Sequence, residues 1–264
     1  MKQFRKFAVT LCLTMASVPL AANANGYVAA PVTPPPVVSQ EAQTIRAFPG
    51  IFGAASAIAP SGGSGYVALT YANPRGGISG NNADGDLAFG YTVGNPIDAV
   101  SLSFGVNVTG LDPFGDSGSV FASAARLLRA GGNSATFVGL SAGNLLGWGD
   151  AEGSDESFSG YVSHLVAFPM AGGELPAQFT FGYGNRTTYD ADVVGQLDEG
   201  FFVGAGVGVT ETLSLSASAT ATQLNLGASL TVPQVPGLGI SAGIYDVTEN
   251  VDRQQFTLSV AFGF

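Results

Sequence analysis

Val100-Ser101-Leu102-Ser103-Phe104-Gly105-Val106-Asn107-Val108 alternates an apolar side chain with a small or polar one at every step. A period of two sends successive side chains to opposite faces of an extended chain, so this stretch predicts a β-strand with one greasy and one hydrophilic face. The same rhythm runs through Leu87, Phe89, Tyr91 and Val93, through Phe179, Phe181 and Tyr183, and from Phe201 to Val209, where the second face is nearly all glycine. Leu213 to Thr220 keeps it, and then the phase shifts to Leu224, Leu226, Ala228, Leu230 and Val232, which predicts a tight connection near Thr222-Gln223. Weaker segments of the same kind lie at about 65–73, 118–128, 135–145, 157–168 and 238–246, with ambiguous faces.

The connections alternate in length. Short ones hold Asn95-Pro96-Ile97-Asp98, Ala130-Gly131-Gly132-Asn133, Ala171-Gly172-Gly173-Glu174, Thr210-Glu211-Thr212 and Pro233-Gln234-Val235-Pro236-Gly237. Longer polar ones span about 74–85, 110–117, 146–156, 187–199 and 246–252. Short turns at one end and longer loops at the other are the pattern of an up-and-down membrane barrel. The expected fold is therefore all-β, a transmembrane antiparallel up-and-down β-barrel over residues 61–264. Twelve strands fit best and ten to fourteen are compatible, because the first strand and the 222–223 turn are the least secure.

Composition agrees. Only 11% of residues are charged although mean hydropathy is positive at +0.31, and soluble domains carry about twice that charge. Thr212 to Tyr245 lacks any charged side chain, yet a serine or threonine falls at nearly every second position. That spacing would ring a helix with hydroxyls on all sides, so a membrane helix is excluded there.

Residues 1–24 read as a cleavable signal peptide: Lys2, Arg5 and Lys6, an apolar run from Phe7 to Leu20, and a small-x-small site at Ala22-Asn23-Ala24. Its removal takes away Cys12, the one cysteine, and every lysine. Arg46, Arg75, Arg126, Arg129, Arg186 and Arg253 are left as the basic side chains against 19 acidic ones. So acidic a chain argues against nucleic acid or an anionic membrane surface as partner. Residues 25–60 form a proline-rich periplasmic segment, with Ala30-Pro31-Val32-Thr33-Pro34-Pro35-Pro36 reading as an extended linker. Phe48-Pro49-Gly50-Ile51-Phe52-Gly53 is more apolar, and either tucks into the lumen or stays outside it; the expectation is the second.

The last segment, Phe256-Thr257-Leu258-Ser259-Val260-Ala261-Phe262-Gly263-Phe264, alternates to a terminal phenylalanine. It resembles the C-terminal signal of bacterial outer-membrane β-barrels, the aromatic-ended strand that the barrel-assembly machinery recognises. In that family the signal is carried by the final aromatic and every second residue before it, which here are Phe264, Phe262, Val260, Leu258 and Phe256. The resemblance implies a porin-like barrel of the Gram-negative outer membrane, in contact with lipid and lipopolysaccharide, and does not identify a subfamily.

In such a barrel the apolar stripe faces lipid, and the Gly, Ser, Thr, Ala and Asn stripe lines the lumen. Twelve strands lie between a lumen filled by side chains and an open aqueous channel, and small inward residues favour a water-filled passage for small hydrophilic solutes. Acidic residues concentrate in the longer loops: Asp112 and Asp116; Asp150, Glu152, Asp155 and Glu156; Asp190, Asp192, Asp198 and Glu199; Asp246, Glu249 and Asp252. They imply a mild cation preference. The alternative is a non-conducting surface barrel whose acidic loops serve adhesion or envelope integrity.

Arg126, Arg186 and His164 are the candidates for the lumen or a constriction, since a guanidinium facing lipid costs about 2–4 kcal/mol at midplane; a simple ion pair is the competing reading for the arginines. The tyrosines at 66, 71, 91, 161, 183, 189 and 245, with Trp148, are expected in interfacial girdles. No catalytic group, cofactor or metal site is expected. Twelve-stranded outer-membrane phospholipases use serine, histidine and asparagine with a closely spaced His-x-Ser, whereas here His164 is the sole histidine and Ser163 falls on the opposite face of its strand. A monomer is expected, because no long infolding loop of the large general porins is present.

Overall fold

The computed structural model describes residues 49–58, 62–74, 83–109, 114–170, 173–190 and 196–264. Residues 1–24, expected to be a signal peptide, the proline-rich stretch, Arg46, Arg75, Asp112 and Asp192 lie outside the described residues.

Twelve antiparallel strands close into one barrel, each paired with its neighbours in sequence. They are β1 Ser64–Ala72, β2 Asp84–Gly94, β3 Ser101–Thr109, β4 Gly118–Gly131, β5 Ser134–Trp148, β6 Ser157–Met170, β7 Gly173–Tyr189, β8 Leu197–Gly208, β9 Leu213–Ala219, β10 Leu224–Thr231, β11 Leu238–Tyr245 and β12 Gln255–Gly263. Closure comes from β1 against β12, from Tyr66 opposite Gly263 to Ala72 opposite Thr257. The last residue seals the seam: the Phe264 N–H donates to the Gly65 carbonyl at 2.9 Å, and the Gly65 N–H donates to the Phe264 carbonyl at 2.7 Å. A closed sheet leaves no unpaired edge, the condition for a sheet in a bilayer.

Alternation sets the two faces. Leu102, Phe104, Leu140, Phe158, Phe181, Phe201 and Leu215 stand exposed on the outer wall, Leu140 at 62%. Their neighbours Ser101, Ser103, Ser119, Ser163, Gln178 and Ser218 are buried inside. Phe256, Leu258, Val260, Phe262 and Phe264 all point outward, as the alternation requires.

The wall is uneven. Strands β4 to β7 run 14 to 17 residues, whereas β9, β10 and β11 have 7 or 8. At the end of the short turns, hereafter the turn end, β4 continues past the last β3 pair, Ser101 opposite Ala125, so that the β4–β5 hairpin projects. At the loop end, the tight β9–β10 connection forms a notch. It falls at residues 220–223, around the Thr222-Gln223 pair where the phase of alternation changes.

Candidate functional site

Short hydroxyls facing one another across an antiparallel pair come close enough to bond, and the inner wall is laced in this way. Thr92 with Ser103, Thr70 with Ser259, Ser141 with Ser159 and Ser214 with Ser229 each stand at 2.7 Å. Inward aromatic rings lie along the wall rather than across the lumen. Tyr66 lies over Gly90, Phe121 over Gly105, Tyr161 over Gly139 and Phe202 over Gly182, positions where any Cβ would collide with the ring.

Residues 49–58 fill much of what remains. Pro49 and Gly50 pass beside Gly206 near the turn end of β8, and Ile51 lies on Gly204 one step further in. The chain reverses at Phe52-Gly53 and returns along β7 and β6 to Ile58. Gly53 holds φ +75°, and a Cβ there would sit 2.7 Å from the Asn225 amide nitrogen, so the reversal demands glycine on two counts. The wall recognises the backbone of this segment. The Phe52 N–H donates to Ser216 Oγ at 3.0 Å, and Ser218 Oγ donates to the Phe52 carbonyl at 2.7 Å. Thr180 Oγ1 donates to the Ala55 carbonyl at 3.0 Å, the Ala57 N–H donates to Ser163 Oγ at 2.9 Å, and Gln178 Nε2 donates to Ser56 Oγ at 2.6 Å.

Packing completes the plug. Ile51, Ala54, Ala57 and Ile58 join Ala135, Phe137, Tyr161, Leu165 and Phe202 in one buried cluster. The Phe52 ring meets Tyr245 at 4.6 Å between centroids, in a recess that exists because residues 227 and 243 are glycine. The expectation that this apolar stretch stays outside the barrel is corrected for residues 49–58. A hydrophilic-looking wall has apolar recesses wherever its inward residue is glycine, and Ile51 and Phe52 gain more by entering them than by remaining in water.

A second constriction lies at the loop end. The ends of β7 and β8 and the β11–β12 loop meet there: Thr188 Oγ1 stands 3.1 Å from Thr222 Oγ1, and Tyr189 and Leu197 pack with Val251. Arg253, 2% exposed, lies against the Tyr189 ring at 5.1 Å. The loop carrying it is wound on Asp246, whose carboxylate accepts backbone N–H groups from Asn250, Val251 and Arg253. With those oxygens engaged, the terminal nitrogens Nη1 and Nη2 of Arg253 have no hydrogen-bond partner among the described residues. Burial lowers the Arg253 pKa, opposed by Tyr189 and Asp246. The loop is also tied to the plug, because Asn225 Oδ1 accepts the Asp246 N–H at 3.0 Å while Asn225 stands over Gly53.

No protein-family model and no curated protein matches the chain. Among solved structures, a KdgM porin in complex with disordered oligogalacturonate is similar at a TM-score of 0.49 and 9% identity, over 76% of this chain and 99% of that one. The outer membrane protein Omp33 of Acinetobacter baumannii is similar at 0.49 and 11%, over 76% and 98%. A NanC porin is similar at 0.48 and 9%, over 75% and 98%. The chain is a twelve-stranded antiparallel barrel on its own strand pairing.

The three residues read from the sequence as lumen candidates do not meet there. Arg186 stands at the loop end of β7 and pairs with Asp155 at 3.1 Å, the ion pair that was its competing reading. Arg126 and His164 face outward. Arg126 is opposite Val138, and His164 is opposite Thr136 and Phe179, all residues of the outer parity. The reason is local: both inner and outer positions of β4 and β6 are largely apolar, so the alternation that assigns faces elsewhere is silent in these strands. The tyrosines divide likewise. Tyr71, Tyr91 and Tyr183 are exposed on the outer wall, while Tyr66, Tyr161 and Tyr189 are buried inside and Tyr245 holds the plug. Of the residues that grip the plug, Gln178, Thr180, Ser216 and Ser218 were legible only as generic lumenal polar groups, and Ser163, read as lying on the face opposite the lumen candidate His164, is corrected to the inner wall. Their distinguishing signal is the cluster of inward glycines at 204, 206, 227 and 243 nearby.

Proposed function

We propose that the protein is a porin-like outer-membrane channel for small hydrophilic solutes, closed in this form by its own residues 49–58. The observation that carries this reading is how the plug is held. It adds no strand to the wall, and its polar contacts are bonds from wall side chains to backbone or to Ser56. Withdrawal of the plug therefore leaves every strand pair intact. It uncovers Ser163, Gln178, Thr180, Ser216 and Ser218 as a polar track, the lining a weakly selective passage needs. In this reading the turn end is periplasmic and the acidic loops face outward, giving a mild cation preference. The barrel-assembly machinery reads the strand ending at Phe264, lipopolysaccharide surrounds the loop end, the barrel works as a monomer, and no catalytic step is involved.

Planar-bilayer recording on the mature chain and on a variant lacking residues 26–58 tests this. The mature chain should be mainly closed and the truncated barrel should conduct in discrete steps. A truncated barrel that is folded and silent overturns the channel reading. The second reading, a non-conducting surface barrel, is favoured by the loop-end constriction of Arg253 and Tyr189, and silence would support it.

A further inference from the structure

Arg126 and Arg129 are three residues apart, a spacing that places side chains on opposite faces of a regular strand. In β4 they share a face. The register between β4 and β5 slips by one between Leu127 and Arg129, with Leu127 opposite Phe137 and Arg129 opposite Thr136. The inserted residue, Leu128, is a bulge that re-aims everything after it. Thr136 in turn stands opposite His164 of β6, with its Oγ1 2.9 Å from His164 Nδ1. Arg129, Thr136 and His164 thus form one row across three adjacent strands on the outer wall. With strands about 4.8 Å apart, the row is about 10 Å long, and Arg126 lies two register steps along the wall from it.

This patch gathers basic groups from a chain that has few. Of its other arginines in the described residues, Arg186 is paired with Asp155 and Arg253 is buried inside. Arg126 and Arg129 are exposed, and no ion pair with a carboxylate is formed by either among the described residues. Their height along the wall is telling. They lie in the part of β4 that runs past its pairing with β3, toward the projecting turn between Gly131 and Ser134. A guanidinium on the lipid face costs about 2–4 kcal/mol at the bilayer midplane but only about 0–1 kcal/mol near the interface, and the interface is where headgroup phosphates lie.

We propose that the outer face of β4–β6 at the turn end is a binding site for the headgroup of an anionic phospholipid. The two guanidinium groups take the phosphate oxygens, and His164, with Nδ1 held by Thr136, offers Nε2 to the same headgroup. The occupant is a lipid rather than a free anion because the site lies on the apolar outer wall, beside Val138, Val162 and Phe179, which would pack against its acyl chains. The excess of acidic side chains does not contradict this, since the carboxylates concentrate at the loop end, on the far side of the membrane. The inference rests on the barrel spanning a bilayer and is independent of whether its lumen conducts.

The test uses the mature chain refolded into phosphatidylcholine vesicles with and without one-fifth phosphatidylglycerol, read as the midpoint of thermal unfolding. Phosphatidylglycerol should raise the midpoint of wild type, and the Arg126→Gln/Arg129→Gln variant should lose that rise while unfolding as wild type does in pure phosphatidylcholine. Inorganic phosphate at matched concentration in pure phosphatidylcholine should leave the midpoint unmoved. An equal rise in wild type and variant, no rise in wild type, or a rise with free phosphate each overturns the proposal. Should the double variant fail to fold, native mass spectrometry of wild type in detergent decides: retention of phosphatidylglycerol over phosphatidylcholine supports the site and equal retention refutes it. A protein that does not enter vesicles at all fails on the membrane reading instead.

Discussion

Gly227→Val should eject the plug and leave the barrel standing. A Cβ at residue 227 would collide with Phe52 Cβ, and the Phe52 ring already fills the recess between Gly243 and Tyr245. The collision is with the body of the side chain, so a change of rotamer does not relieve it and Phe52 must leave. Its loss resembles truncation of a buried phenylalanine, about 3–5 kcal/mol. At about 1.4 kcal/mol per factor of ten, the unplugged fraction rises by about two to three and a half orders of magnitude. Cys12 is the one cysteine of the chain, so in protein made without residues 1–24 Ala54→Cys is a unique reporter, placed where the plug is 7% exposed. The rate of modification of that thiol by a small membrane-impermeant maleimide should increase by the same factor when Gly227→Val is added, up to the rate of a free thiol. Circular dichroism and heat-modifiable gel mobility should still report a folded barrel. Equal labelling rates in the two folded proteins would show that Phe52 does not hold the plug in place, and the account of the lumen would fall with it.

Leu140→Arg, on the outer wall opposite Ala124 and Gly160, should destabilise the barrel in vesicles by about 2–4 kcal/mol; denaturant unfolding that is unchanged would mean this face does not meet lipid. Arg253→Met should be neutral or stabilising by about 1–2 kcal/mol. Leaving a buried guanidinium short of partners costs about 1–3 kcal/mol, against about 0.5–2 kcal/mol from the Tyr189 ring, and a loss beyond 3 kcal/mol in equilibrium unfolding would contradict that balance. Phe264→Gly removes the exposed ring that rests on Gly65 but keeps the backbone bonds to that residue. The yield of assembled barrel in cells should fall several-fold while refolding of purified protein into detergent is little affected, and equal losses in both would place the role of Phe264 in stability rather than in assembly.

What could be read from the chain follows the strength of its alternation. β3, β8 and β12 carry large apolar groups on one parity and hydroxyl or glycine on the other, so strand and face follow directly. The phase change near Thr222-Gln223 located the tight connection at residues 220–223 for the same reason. β4 and β6 were opaque in face because Leu127 and Leu128 adjoin, and because Tyr161 and Leu165 on one parity are as apolar as Val162 and Val166 on the other. Apolar side chains on both parities, inside against the plug and outside on the exposed wall, remove the contrast that periodicity measures. The bulge at Leu128 then defeats any argument from the spacing of Arg126 and Arg129. Tyrosine is ambivalent by nature, and only the partner decides its side: glycine across the pair lets Tyr66 and Tyr161 lie flat inside. The choice between lumen and exterior for residues 49–58 fell the wrong way because they have no period, and their destination is written in glycines more than 140 positions later in the chain.

The energies of the plug are close to balanced, and that balance is why a closed lumen and a channel are compatible. Fixing ten residues of backbone costs about 10–20 kcal/mol. Five hydrogen bonds from the wall return about 1 kcal/mol each, and burial of Ile51, Phe52, Ile58 and the small alanines returns about 8–10 kcal/mol more. The two totals lie within a few kcal/mol of each other, whereas the wall is held by continuous ladders around twelve strands. A stress that separates these two scales moves the plug first. The Asn225 bridge from Gly53 to the Asp246 loop means that opening the loop end removes one of the contacts holding the reversal in the lumen. Closure at the two levels is therefore coupled through the Asn225 side chain, beside the Phe52–Tyr245 contact one residue before Asp246.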